Sequence, residues 1–544
     1  MARTLVRGGI AVIACLAAVS AAACTAANPK NNNSKTPDTL HAVMSEEADN
    51  LNPLVATEQG KSQILSVIAT PALYIDPNSK PASRVLASWS QSPDLKTVTL
   101  TLKPDVKWSD GQPMTATDIK FSLSVYLNEK ISVNAGRVGP VVGEDAVTSG
   151  SAQTLSGVTT PDDRTVKIQL AEPDATWLNK FALLGTYAPV LPSHILGNVP
   201  QSQLTNNAYF KNWPVSSGPY KLAKFVQGQY VQVDRNDKYS FKKPVFPHVV
   251  FEILSTDQMT AKLQTGEVNY IYTVDPSDVS RVKAIPGVTV ASHQGVAPEL
   301  FAFNNGAPEL KDPRIRQAMI YAIDRKGICQ TVLAGHCATP TTNLRQIGPS
   351  WSIPTTGLTD YNYDPAKAKQ LLAAAHWNPS TKLVFYARTQ RSYVDKAVTV
   401  ALGQLAAVGI HFTVRTLTTA QLLDQIKNKT GWDAFWISGA DFVVDPDEWA
   451  DYLLCDNRYP NGPNTSQFCD PKIDTLLKQG VTAPTQDARA TLYHEAFTDM
   501  NQNPADAYLY IVDTIVAYDS HLKGIVPNGN LSAGYRDIEN WTWQ

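Results

Sequence analysis

Hydrophobic and polar positions change period repeatedly along the chain. From Thr97 to Leu102 they alternate, with Val98, Leu100 and Leu102 on one face, the two-residue period of a half-buried strand. Asp110-Gly111 then marks a tight turn. Thr115-Ala116-Thr117-Asp118 sets a hydroxyl and a carboxylate three residues apart, the capping box that opens a helix carrying Ile119, Phe121 and Leu123. Asp312-Pro313, Asp364-Pro365 and Asp470-Pro471 predict three more helix starts, since the carboxylate caps free N–H groups and a proline at the first helical position gives up no hydrogen bond. Behind the first, Ile315, Ala318, Met319, Ala322 and Ile323 recur at i, i+3, i+4, i+7 and i+8, so one face is core. Leu371, Leu372 and Ala375 follow the second start, and Ile473, Leu476 and Leu477 the third. Residues 394–408 read as a helix stopped by Gly409, with strand residues His411 to Val414 beyond it. Residues 40–44, 230–233 and 249–253 read as further strands. This alternation argues an α/β protein.

The first residues have a different character. Arg3 and Arg7 precede an uncharged stretch from Gly8 to Ala23, and Ala21-Ala22-Ala23 lead into Cys24. Residues 1–23 are therefore a secretory signal peptide, and no later stretch approaches the ~18 uninterrupted apolar residues of a spanning helix. The small residues before Cys24 resemble a bacterial lipobox, whose cysteine is lipidated. Residues 24–37 then form a polar tether, as an anchored protein needs. Cleavage near Ala23 with a free thiol on Cys24 is the alternative.

Composition narrows the function. The chain has 544 residues, and its 43% hydrophobic content supplies a full core. A formal charge of −2 without any Lys/Arg-rich run excludes a strong nucleic-acid footprint. Beyond Cys15 and Cys24 the cysteines are Cys329, Cys337, Cys455 and Cys469. Three connectivities are open to four cysteines. In an oxidising compartment the local pairs Cys329–Cys337 and Cys455–Cys469 are the simplest. A zinc site would lack any C-x-x-C spacing and find only His336 nearby, so no metal and no cofactor is expected. No H-E-x-x-H, G-x-S-x-G, P-loop or G-x-G-x-x-G pattern occurs, which leaves an enzyme without a positive signal.

Several stretches, in this order, resemble the family 5 extracellular solute-binding proteins of ABC importers, the peptide- and nickel-binding group. They are L-K-P-D-V-K-W-S-D-G-Q-P-M-T-A-T-D-I-K-F-S-L from Leu102 to Leu123, S-G-P-Y from Ser217, R-N-D-K-Y from Arg235, L-Q-T-G-E-V from Leu263, F-N-N from Phe303, and D-P-R-I-R-Q-A-M-I-Y-A-I-D-R from Asp312 to Arg325. The similarity runs from about Leu51 to Tyr510. It implies an α/β, two-lobe periplasmic-binding-protein type II fold with an extra subdomain in lobe I (cluster C). Lobe I is expected at 38–297 and 507–544, with the subdomain near 71–205, and lobe II at 298–506. The crossovers are expected near Phe301 to Asn304 and Ala507 to Val512.

The resemblance also implies a function and a site. Such a protein is exported, anchored to the outer face of the membrane, monomeric, and delivers a ligand, foremost peptides, to the permease of an ABC importer. The same scaffold binding a metal chelate or an oligosaccharide is the second reading, and a secreted hydrolase the third. In peptide-binding members an aspartate of a lobe II segment pairs with the peptide's α-ammonium. The matching residue is Asp441, in Trp436-Ile437-Ser438-Gly439-Ala440-Asp441-Phe442. The gap to Asp445-Pro446 is one residue longer than the group's, and the tryptophan stands earlier. Asp441 as an ammonium anchor and Asp441 as a loop or helix cap both stay open. Trp432, Trp436 and Trp449 are candidates to wall the pocket, with Ser438 and Gly439 beside Asp441. Asn304 could offer its amide to a ligand or satisfy the crossover strand. Glu47 matches an acidic position near the family's cleft.

Overall fold

Two sheets organise the chain, and neither is built from contiguous sequence. In the computed structural model the described residues are 36–44, 47–55, 59–343, 351, 356–388, 392–427, 431–438, 445–527 and 534–544. The first sheet has seven strands, in the order Val288–His293, Thr514–Asp519, Tyr270–Ile271, Thr39–Val43, His248–Glu252, Tyr230–Arg235 and Tyr220–Val226. Thr39–Val43 lies at its centre, parallel to both neighbours, and Leu40 and Ala42 have no exposed surface. The second sheet has six strands: Cys337–Ala338, Asp506–Val512, Pro298–Phe303, Ala434–Ser438, Lys382–Arg388 and His411–Leu417. Its last three are mutually parallel and alternate in sequence with the helices Ser392–Ala407 and Thr419–Lys427, a crossover arrangement.

A smaller four-stranded sheet is inserted within the first half: Leu86–Gln91, Thr97–Leu102, Thr165–Gln169 and Val158–Thr159. One hydrophobic core runs through this insert and the first sheet, from Leu40 and Phe251 to Val98, Leu100 and Trp177. The second sheet has its own, around Phe301, Met319, Phe385, Trp436 and Tyr510. A further core joins the helices Pro471–Thr482 and Gln486–Gln502.

The chain changes sheets twice, across residues 294–297 and at Asp513. The strands on the far side of each step, Pro298–Phe303 and Asp506–Val512, are hydrogen-bonded to each other in antiparallel register. Residues 507–512, expected with the first lobe, are thus a strand of the second sheet. Tyr508, Leu509 and Tyr510 are apolar on both faces and fit only between two strands, here Pro298–Phe303 and Cys337–Ala338. Hydropathy marks such a strand as buried but does not say which sheet takes it.

Local chemistry explains why the recognised stretches have their composition. Thr97–Leu102 buries Val98, Leu100 and Leu102, as its alternation predicts. Asp118, near the start of the helix Ala116–Tyr126, accepts the Thr115 N–H at 2.8 Å, the Trp108 indole at 3.3 Å and the Ser193 N–H at 2.8 Å. That single buried carboxylate ties together W-S-D-G-Q-P-M-T-A-T-D. In S-G-P-Y, a Cβ on Gly218 would lie 2.3 Å from the Val67 carbonyl oxygen, so only glycine fits. The helices Pro313–Ala322, Pro365–Ala374 and Pro471–Thr482 start at the three Asp-Pro pairs, each aspartate accepting a backbone N–H of the first turn. The helix expected over 394–408 begins at Ser392, and Gly409 ends it with φ +91°, a left-handed conformation that suits glycine. The strand after it extends to Leu417. Cys329 is bonded to Cys337 and Cys455 to Cys469, with Cα separations of 5.9 and 4.7 Å inside the normal span.

Two buried arginines of D-P-R-I-R-Q-A-M-I-Y-A-I-D-R brace the second crossover strand. Arg316 donates to the Pro504 carbonyl at 2.8 Å, and Arg325 to the Tyr508 carbonyl at 3.0 Å and the Pro340 carbonyl at 2.6 Å. The Asp506 carboxylate accepts the Phe303 N–H at 3.4 Å across the crossover pair. Burial pushes its pKa up to about 7, against the pull of that N–H and of Arg316. A raised carboxyl pKa means that the folded chain holds a proton the unfolded chain releases above about pH 4. Stability therefore falls as pH rises from about 4 to 7 and levels off beyond, by at most about 4 kcal/mol from this group. Asp506→Asn should gain stability relative to wild type across that interval and hold a constant difference above it. Urea unfolding of both proteins at pH 4.5, 6 and 7.5 checks this, and a difference independent of pH contradicts it.

Candidate functional site

The strand Ala434–Ser438 runs into residues 439–444, which carry Gly439 and Asp441 and lie outside the described residues. What the structure defines is how the chain on either side of it, at Ser438 and Asp445, is held. On the upstream side Ser438 pairs with Glu299 of the crossover strand. Trp436 and Ser438, two residues apart, share a face. Glu299 receives both: its Oε2 accepts the Trp436 indole N–H at 2.7 Å and its Oε1 accepts the Ser438 hydroxyl at 2.8 Å. Tyr510 of the other crossover strand stands 6.1 Å from Trp436, ring centre to ring centre. A carboxylate that is 6% exposed thus sits on the strand that joins the two halves and fixes the entry to the segment.

The downstream side begins with Asp445, Pro446 and Asp447. Asp445 is fully buried and paired with Arg489 through both terminal guanidinium nitrogens, one of them at 2.8 Å. The guanidinium also lies 4.9 Å from the Trp351 ring and 5.4 Å from the Tyr493 ring. Burial works against the Arg489 charge, but Asp445 and Tyr493 outweigh it and hold its pKa above the ordinary value. Asp447 meets the Lys180 ammonium at 2.6 Å, and Lys180 is 3.6 Å from Asp174. Burial pushes Asp447 up, and burial with the nearby Asp447 charge pushes Asp451 up to about 6. Carboxylates outnumber cations here, so each carboxylate is penalised while Lys180 is kept charged: burial opposes it, and Asp447, Asp174 and Asp451 prevail.

Of the residues predicted from sequence, Trp436 and Ser438 are brought together, with Glu299 between them. Trp436 has no exposed surface and belongs to the second sheet's core, and Trp432 is 1% exposed. Trp449 lies on the helix Pro446–Ala450. Asn304 stands at the opposite end of the crossover strand from Glu299, roughly 16 Å away at ~3.3 Å per residue. Its amide donates to the Trp432 carbonyl at 3.0 Å and accepts the Gly306 N–H at 3.1 Å, so it ties down the end of the crossover strand. Glu47 is exposed, beyond the central strand of the first sheet. Asp441, Gly439 and Cys24 lie outside the described residues. Sequence carries no hint of the partners of Glu299, Lys180 or Arg489, and Asp445 and Asp447, which read from sequence as a chance carboxylate pair expected in solvent, are both buried. Only Glu299 left a signal, as the lone charge in the apolar strand P-E-L-F-A-F.

Glutamine at 299 still offers one oxygen to the indole and an amide group that the Ser438 hydroxyl can accept. Leucine leaves the buried indole N–H and the half-buried Ser438 hydroxyl unmatched, at about 1–3 kcal/mol each when buried. Glu299→Leu should lower unfolding free energy by about 2–4 kcal/mol and Glu299→Gln by less than about 1.5 kcal/mol. Denaturant titration measures both, and equal losses contradict the hydrogen-bonding role.

Residues 80–461 match the description "Bacterial extracellular solute-binding proteins, family 5 Middle". A Brucella ovis protein whose name places it among ABC transporter peptide-binding proteins is 27% identical over 488 residues, 88% of this chain and 87% of its own. The oligopeptide-binding protein AppA of Bacillus subtilis is 25% identical over 438 residues, 78% of this chain and 77% of its own. The structure of AppA with a nonapeptide superposes with a TM-score of 0.75 at 21% identity, over 93% of this chain and 99% of that one. NikZ of Campylobacter jejuni, in complex with Ni(L-His), gives the same values for all four measures. At these identities the solved structures speak to the fold: α/β, two-lobed, of the periplasmic-binding-protein type II class. Proteins of this group are extracellular or periplasmic binding proteins of transport systems, not enzymes, which sets the hydrolase reading aside. The chain belongs to the bacterial extracellular solute-binding proteins, family 5.

Proposed function

We propose that this protein captures peptides between its two lobes and passes them to the permease of an ABC importer. It acts as a monomer on the outer face of the cell membrane, held there by a lipid on Cys24. The first lobe carries the insert near residues 71–205, and the ligand meets the segment 439–444 of the second. The observation that supports the reading is how the flanking chain is held: Glu299 bonds Ser438 and Arg489 pairs with Asp445, with Gly439-Ala440-Asp441-Phe442 between them in sequence. Relatives named for peptide binding, across 88% of the chain, support the same ligand class.

A transporter of many peptides must draw affinity from features common to all of them, the α-ammonium and the main-chain amides. An ammonium enclosed between lobes needs a counter-charge, and Asp441 is assigned that role. A Ni(L-His) neighbour of equal fold similarity favours a chelated metal as the second reading. Removing one side of a buried ion pair typically costs about 3–5 kcal/mol. Asp441→Ala should therefore weaken peptide binding on the order of a hundred- to a thousandfold. N-acetylation of the peptide should weaken wild-type binding similarly, and the two changes together should not add. Calorimetry on this double cycle decides it. Identical binding of free and acetylated peptides by both proteins contradicts the assignment and moves weight to the chelate.

The anchor is tested separately. Cys24→Ala should move the protein from the membrane fraction to the medium with its unfolding midpoint unchanged. A variant that stays with the membrane contradicts the lipid attachment.

A further inference from the structure

The segment Asp174–Lys180 of the insert reaches the second half of the molecule just after the ligand segment. Trp177 at its centre belongs to the core shared by the insert and the first sheet. Its partners belong to the other half. Lys180 Nζ lies 2.6 Å from Asp447, and the Thr176 hydroxyl 3.1 Å from the same carboxylate oxygen. The Asn179 amide donates to Asp445 at 3.2 Å, and the Ala175 N–H to the Val481 carbonyl at 3.1 Å. Asp445 and Asp447 are 0% and 2% exposed, and Asp174 is 6% exposed. Three contacts from this segment thus converge on Asp445 and Asp447, and a fourth reaches the helix Pro471–Thr482.

We propose that Lys180 is a positioning residue for ligand capture: through Asp447 it holds the insert against the second half of the molecule once the lobes have met. The charges are arranged so that this contact alone is weak. The Thr176 hydroxyl lies 2.6 Å from Asp174 and 3.1 Å from Asp447, so its one proton is shared between two carboxylates. Lys180 is the cation facing Asp174, Asp447 and Asp451, while Arg489 is committed to Asp445. Burying charges costs about what their attraction returns. A bridge with surplus acid holds closed lobes together without closing them by itself, and bound ligand decides the balance.

This inference rests on the solute-binding reading, but its test does not require that the ligand be a peptide. Spin labels at the exposed positions Val142→Cys and Val414→Cys sit one on each half. Distances between them are measured for wild type, Lys180→Met and Lys180→Arg, alone and with excess of a randomised library of peptides of three to nine residues. Methionine keeps the length without the charge, and arginine keeps the charge. The ratio of closed to open molecules should fall about tenfold or more in Lys180→Met. It should be largely kept in Lys180→Arg. The unfolding midpoint should move little, because opening lets the freed carboxylates reach water. Equal distance distributions in wild type and Lys180→Met overturn the proposal. A lowered midpoint with closure unchanged overturns it too. If the library leaves wild type unmoved, the peptide reading fails, while the ligand-free distributions still judge Lys180.

Discussion

The antiparallel pairing of Pro298–Phe303 with Asp506–Val512 is the constraint on which the rest of the structure depends. Both connections between the sheets enter the second sheet through these two strands, so the halves can move only as this ribbon allows. It also organises the candidate site. Glu299 on one strand and Tyr510 on the other meet Trp436 on the third, and Ser438 leads from there into the ligand segment. A buried carboxylate is costly unless its lone pairs are used. That requirement fixes Trp436 and Ser438 more tightly than apolar packing would.

The same rule accounts for the stretches that carry the family resemblance without reference to any ligand. Arg316, Arg325 and Arg489 are each within 5% of full burial, and each is matched by carbonyls or a carboxylate. Asp118 gathers a helix start, an indole and a distant serine. These residues hold together pieces of chain that are far apart in sequence. Their cost if unpaired explains why they are specific, and why a stretch such as D-P-R-I-R-Q-A-M-I-Y-A-I-D-R identifies the scaffold and says little about the solute.

Much of the fold was legible in the sequence because its signals are local. Alternation marked Thr97–Leu102, and the Asp-Pro pairs marked three helix starts to the residue. What was not legible depends on contacts between distant segments. Asp506–Val512 is as apolar as a strand of either sheet, and only its neighbours decide its membership. Trp436 reads as a pocket wall by position, yet its indole is consumed by Glu299, 137 residues away. Lys180 looks like any helix lysine until the fold sets Asp447 against it. Residue type and spacing carry no trace of such pairs, since each partner alone is unremarkable.

Together these features describe a solute-binding scaffold whose halves are joined by an antiparallel pair of strands, with Glu299 and Arg489 holding the chain on either side of residues 439–444 and a cation-poor contact at Lys180. The central claim is that the solute enclosed is a peptide. Native mass spectrometry of protein purified from its own cells without denaturation tests it most directly. The account predicts a set of added masses that fragment as short peptides, released together when the protein is unfolded. A single discrete mass bearing a metal or a sugar, and no peptide fragments, would contradict it.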